Sequence, residues 1–257
     1  MTLAGCRRPC GSVAAERIKL STTRSPIWSA VIAAMLSLGI AALQPAATLS
    51  DEPLPPERAA VGVVTFAVPV LMILAAMTIT GEYRSGMIRT TFMATPHRSR
   101  VLGAKALITA VFAGVSAAGM VIASLLVARA LANGQVGARL PLTHAEAWRP
   151  VGAVGLYAAL GAVLAVGLAV LLRYAAAVIA VLLLMPFVIE PLLGSMPRIG
   201  EHVGPLLPFA NAWAFTGVPW IGAFPPSWGP LGSLLYFTVV VAAIYLGAVF
   251  VINRRDP

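Results

Sequence analysis

Charged side chains make up only 11% of this 257-residue chain, under half of the roughly 25% usual for soluble domains. Cysteine is almost missing: Cys6 and Cys10 are the only two. Two thiols four residues apart, with no histidine nearby, fall short of a four-ligand zinc site. They read as free cytoplasmic thiols, and no metal site is expected. Histidine is equally sparse. His97, His144 and His202 all fall in loops on either side of the apolar runs, which argues against the paired His and acidic residues that an intramembrane enzyme needs. No Gly-x-x-x-x-Gly-Lys-Ser/Thr loop occurs, so this chain has no site for the phosphates of ATP. Within the apolar runs only Glu190 is ionisable. A proton- or sodium-coupled carrier places several such groups at mid-membrane, and that class is excluded too.

What remains is apolar. Hydrophobic residues are 59% of the chain and the mean hydropathy is +0.89. A membrane helix needs about 20 mostly apolar residues. Six runs meet or approach that length: 26–43, 60–80, 106–128, 150–172, 174–193 and 232–252. The fold class expected is therefore an all-α membrane protein with six transmembrane helices. Residues 1–25 form a cytoplasmic tail, and 26–257 form the six-helix domain. The first run, anchored by Trp28 at its inner end, reads as a retained helix, not a cleaved signal. The fourth and fifth runs are separated by little more than Arg173-Tyr174, which predicts a tight helical hairpin. Small residues such as Gly114, Ala118, Gly155, Ala158, Gly161 and Ala162 permit close helix approach.

The net charge of +9 does not point to nucleic acid, because no basic stripe lies on a soluble domain. The basic residues instead sit at the ends of apolar runs. Thirteen of the eighteen, among them Arg7, Arg8, Arg17, Lys19, Arg24, Arg84, Arg89, Arg98, Arg100, Lys105 and Arg173, fall on one side of a six-span topology. The positive-inside rule places that side, with both termini, in the cytoplasm.

The segment Gly81-Glu82-Tyr83-Arg84-Ser85-Gly86-Met87-Ile88-Arg89-Thr90-Thr91 holds more information than topology requires. Tyr83, Met87, Ile88, Thr91 and Phe92 recur at helical spacing, with Glu82, Arg84, Ser85 and Arg89 on other faces. Thr95-Pro96 reads as a helix start, and Val101, Leu102 and Lys105 continue towards the third span. The expectation is a short amphipathic helix, a break, and a second helix that enters the membrane. Val13, Arg17, Leu20 and Arg24, with Glu16 and Lys19 beside them, predict a second amphipathic helix on the inner leaflet. Ser195–Pro230 carries six aromatic residues and seven prolines. It is too broken to span, and reads either as short or re-entrant helices at the outer interface or as an aromatic belt. Glu190, just before Pro191, has three readings: contact with a cationic substrate, a cap on a backbone break, or reach to the outer interface.

Glu16-Arg17-Ile18-Lys19-Leu20-Ser21-Thr22-Thr23-Arg24-Ser25, taken with the Gly81–Thr91 run, Pro96, Arg98 and Ala104-Lys105, resembles the membrane subunits of type 2 ABC exporters. Met87 departs from the threonine usual there. The resemblance implies six helices per subunit and an interface helix that includes Glu16, Lys19, Leu20 and Arg24. It implies a coupling helix that includes Glu82, Tyr83, Arg84, Gly86 and Arg89, with Pro96 and Arg98 beyond it. It further implies short re-entrant helices before the last span, which would close the outer exit. The partners implied are a cytoplasmic ABC ATPase subunit, which binds ATP and Mg, and a second permease, identical or different. The setting implied is the bacterial plasma membrane. This chain would be a non-catalytic export permease, with Glu190 as one residue of a path for apolar or amphipathic cargo, drug or lipid-like. The alternatives are a membrane-embedded enzyme and a non-transporting or sensory subunit.

Overall fold

Apolar runs of this length have one stable solution in hydrocarbon, the α-helix, which satisfies its backbone groups internally. A computed structural model describes residues 24–47, 55–85, 98–132, 145–219 and 228–254, and these are helices joined by short turns, with no strand among them. The helices are α1 (Arg24–Ala47), α2 (Pro56–Ala59), α3 (Val68–Ser85), α4 (Arg98–Leu131), α5 (Arg149–Leu172), α6 (Ala175–Leu184), α7 (Glu190–Ser195), α8 (Ile199–Val203), α9 (Pro208–Thr216) and α10 (Pro230–Arg254). Six helical stretches are long and apolar enough to cross a membrane: α1, α3 with the turn before it, α4, α5, α6 through α7, and α10. The chain is a multi-pass, all-α membrane protein.

Two of these spans carry a wide π-helical turn, Val63–Ala67 before α3 and Met185–Ile189 before α7. Each is followed two residues later by a proline, Pro69 and Pro191. A proline inside a helix has no N–H for the carbonyl four residues back, and its ring clashes with that carbonyl. A wider turn moves the carbonyl away and lets the helix continue. The bond shifts one residue further, from Val68 N–H to the Val63 carbonyl and from Glu190 N–H to the Met185 carbonyl.

The helices α3 and α5 form the centre. Each is 67% buried over its span, against 17–28% for the other four. Because lipid is as apolar as leucine, helices associate in it by close packing of small residues. Gly114 on α4 and Gly155 on α5 meet reciprocally: a β-carbon on either would lie 3.1 Å from the other's carbonyl oxygen. The α1 helix docks in the same way. Ser37 Oγ lies 2.7 Å from the Ala33 carbonyl and 3.0 Å from the Gly62 carbonyl, so one proton joins two helices.

Several helix ends differ from the expected ones. The first helix passes through Pro45 to Ala47, because a proline near a helix end costs only one bond. The third begins at Arg98, making it 34 residues long, or about 51 Å at 1.5 Å per residue. That exceeds a hydrocarbon core of about 30 Å, so its first turns project beyond it. The second helix continues past Thr80 to Ser85. Glu82, Tyr83 and Arg84 therefore form the last turn of a span and are not part of a separate loop helix.

A β-carbon at Gly62 would sit 2.7 Å from the Ser37 carbonyl oxygen and 2.8 Å from Ser37 Cα, both backbone atoms. Gly62→Ala is thus expected to push α1 off the bundle and cost about 1–3 kcal/mol, as overpacking does. Thermal unfolding in detergent measures this, and an unchanged midpoint would contradict the packing described.

Candidate functional site

Contacts divide the helix ends into two groups. At one end Glu82, Tyr83, Lys105, Arg173 and Ile252 come together, with Arg84, Arg100 and Arg254 exposed around them. This is the basic end. At the opposite end Arg149 meets Phe215 and Tyr236 meets Leu206, where the short helix α9 packs on α10 and α5. This is the cap end.

Glu82 lies on the inward side of the last turn of α3 and is only 7% exposed. Its Oε1 accepts a hydrogen bond from Lys105 Nζ at 2.9 Å. Lys105 sits two turns into α4, about 10 Å from the start of that helix. Two opposite charges at this distance, out of water, attract each other more strongly than they would at the surface. The pair faces a small cleft lined by Ile79, Val101, Leu102, Val170 and Ile252. Four spans meet there: α3, α4, α5 and α10.

The adjacent Tyr83 makes a second link. The Arg173 guanidinium carbon lies 5.5 Å from the centre of its ring, a cation–π contact worth about 1 kcal/mol where partly desolvated. Arg173 ends α5 in the left-handed conformation, φ 57, with its N–H bonded to the Ala169 carbonyl. Glycine usually occupies such a position. Here the left-handed residue makes the two-residue turn into α6 and aims its side chain at Tyr83. The hairpin expected at Arg173-Tyr174 is present, and its arginine also packs on Tyr83.

The basic end therefore joins the end of α3 to α4 through Glu82–Lys105, and to the α5–α6 hairpin through Tyr83–Arg173. Arg84 points outward and is exposed. Arg98 and Arg24 are the first residues of α4 and α1. Gly86, Arg89 and Pro96, with the amphipathic stretch that runs through them, lie outside the described residues, as do Glu16, Lys19 and Leu20. The sequence marked Lys105 as part of a helix entering the membrane and Arg173 as part of a hairpin, but paired neither with Glu82 or Tyr83. The signal available was a Glu–Lys pair facing across two spans that both run beyond the hydrocarbon.

Glu190 stands at the other end. It is 1% exposed, and both carboxylate oxygens are occupied: Oε1 accepts from Phe209 N–H at 2.9 Å and Oε2 from Ala210 N–H at 2.6 Å. Of the three readings open for this residue, the geometry is that of a cap. It caps α9, not a break in its own helix. Leu207, at the N-cap position, has no side-chain acceptor, and Pro208 has no N–H. Asn211 N–H bonds to the Leu207 carbonyl. Glu190 takes the two donors left over, so the first turn of α9 is fully satisfied. The region before the last span consists, in its described part, of α8, a 3₁₀ turn (Gly204–Leu206) and α9.

Removing one member of a buried ion pair leaves the other charge uncompensated. Glu82→Gln is expected to cost about 3 kcal/mol in thermal stability, and Glu82→Gln with Lys105→Met is expected to recover most of it. A single variant as stable as the wild type, or a double variant no better than the single, would show that the pair does not hold α3 to α4.

Compared with protein-family models and with curated proteins, the chain matches none; its six apolar helices fit a membrane protein of the transport type.

Proposed function

We propose that the chain is the membrane permease of a type 2 ABC exporter, working with a separate cytoplasmic ATPase subunit and a second permease. The basic end faces the cytoplasm, with both termini, at a bacterial plasma membrane. The observation that carries this reading is the double link at the end of α3. A loop that receives a push from another protein must be joined to the spans it moves, because a freely hinged loop dissipates the displacement. Glu82 and Tyr83 are anchored to α4 and to the α5–α6 turn, while Arg84 on the next face is exposed. Glu82 and Tyr83 then transmit motion, and Arg84, Gly86 and Arg89 meet the ATPase. The chain itself is not an enzyme: ATP and Mg are held by the partner. The spans are apolar apart from these few polar contacts, which suits apolar or amphipathic cargo.

The test is co-expression with an ATPase encoded beside this chain. The wild-type permease is expected to retain the ATPase through purification, and Arg84→Glu with Arg89→Glu to lower its recovery at least tenfold. Tyr83→Ala is expected to leave the complex intact but to abolish stimulation of ATP hydrolysis by cargo. No retention by the wild type, or retention and stimulation indifferent to all three changes, would overturn the reading.

A further inference from the structure

Helix α5 has 24 residues and is about 36 Å long, against a hydrocarbon core of about 30 Å. Its two ends therefore stand at the level of the lipid headgroups. At the basic end that level is occupied by Arg173 and Tyr174, which make the whole turn into α6. Tyr174 is 68% exposed, as an aromatic side chain at the interface commonly is. The span that begins with α6 buries little of its surface. Val181, Leu183 and Leu184 on α6 are exposed, so one side of this helix faces lipid.

The charges at this end do not balance. Among the described residues Glu82 is its one acid, and Lys105 pairs with it. Glu57, Glu146, Glu190 and Glu201 lie toward the cap end, while Arg84, Arg100 and Arg254 are exposed at the basic end. Topology needs only that such charges be present. It does not need one of them fixed in place, and Arg173 is fixed. Its left-handed conformation, φ 57, costs a non-glycine residue roughly 1 kcal/mol or more, and glycine would adopt it freely. The Tyr83 ring seats its guanidinium. Its Nε is buried with no hydrogen-bond partner among the described residues, and a buried donor of this kind calls for an acceptor. Beside it α6 opens with no side-chain cap and no acid in its first turn. Val178 N–H bonds to the Tyr174 carbonyl, so the N–H groups of Ala175, Ala176 and Ala177 precede the helical ladder and point out of the turn.

We propose that the α5–α6 turn binds the phosphate of an anionic phospholipid from the leaflet at the basic end, with the acyl chains along the exposed side of α6. A guanidinium fork takes a phosphate by paired, charge-assisted bonds. The start of α6 adds main-chain donors and the positive end of the helix dipole. A soluble phosphate shares that chemistry, but only a lipid also covers the apolar side of α6. Lipid bound there holds Arg173 against Tyr83 and so braces the link from α3 to the hairpin. The site needs the membrane fold and does not need the exporter reading.

The test uses the full-length chain in a neutral detergent without any ATPase, so its failure and the failure of the exporter reading are separable. Native mass spectrometry measures the binding of phosphatidylglycerol, with zwitterionic phosphatidylcholine as the comparison. The wild type is expected to bind the anionic lipid about tenfold more tightly. Arg173→Met is expected to remove most of that preference, and Arg173→Lys, which keeps the charge but loses the fork, to weaken it about threefold. Ala176→Glu places an acid at an exposed position in the first turn of α6. The acid suits the helix dipole but repels a phosphate, so anionic-lipid affinity is expected to fall about tenfold with the unfolding midpoint unchanged or raised. This variant carries the test if those at Arg173 do not accumulate. Arg100→Gln, at the same end but outside the site, is expected to leave binding unchanged. No preference in the wild type, indifference to Ala176→Glu, or an equal loss in Arg100→Gln would overturn the site. Displacement of the lipid by millimolar inorganic phosphate would show a soluble anion as the ligand and overturn the lipid assignment.

Discussion

A charge carried out of water must take its partner with it, because the cost of leaving it alone in a low-dielectric interior exceeds that of any single packing contact. In this chain that constraint decides where helices touch. Glu82, Lys105 and Glu190 are its buried charges among the described residues, and each partner named for them comes from a different helix. Between the two ends the helices meet mainly through small residues and dispersion, with the Ser37 hydroxyl on the Gly62 carbonyl as an uncharged polar contact. The polar contacts at the two ends therefore set the register of α3 against α4, and of α9 against α7.

The central helix α5 connects both ends. Arg149 at its start holds the last turn of α9, and Arg173 at its end holds Tyr83. Its 24 residues span about 36 Å, and its close fit against α4 at Gly155 leaves little room to bend. In the proposed exporter a displacement entering beside Arg84 would reach the cap end through a rigid element whose two ends are both tied. A displacement carried by a floppy helix would be lost in between.

Much of the fold was legible in the sequence because the cost of burying backbone in lipid leaves so few solutions. Six apolar runs gave six helices, and Arg173-Tyr174 gave the hairpin. Helix ends were less legible. Glu82 and Arg84 looked like loop residues because they are charged, yet Lys105 neutralises one and solvent takes the other, so the helix runs on to Ser85. The role of Glu190 was open in the sequence, although a clue existed. A helix starting Leu207-Pro208 lacks a capping side chain, and Glu190 is the one acid in the apolar run just before it. The pairing of Tyr83 with Arg173 depends on a left-handed arginine, a conformation that no sequence pattern requires.

The account stands on the basic end moving as one piece. Spin labels at Ser85 and Tyr174, both exposed, measure the distance from the end of α3 to the α5–α6 hairpin in lipid nanodiscs. The account predicts one narrow distribution that keeps its mean when the bound ATPase is loaded with ATP, while the separation from Tyr174 to a label at Leu231 at the cap end changes. A broad distribution in the wild type, or a shift of the Ser85–Tyr174 distance on ATP binding, would contradict it.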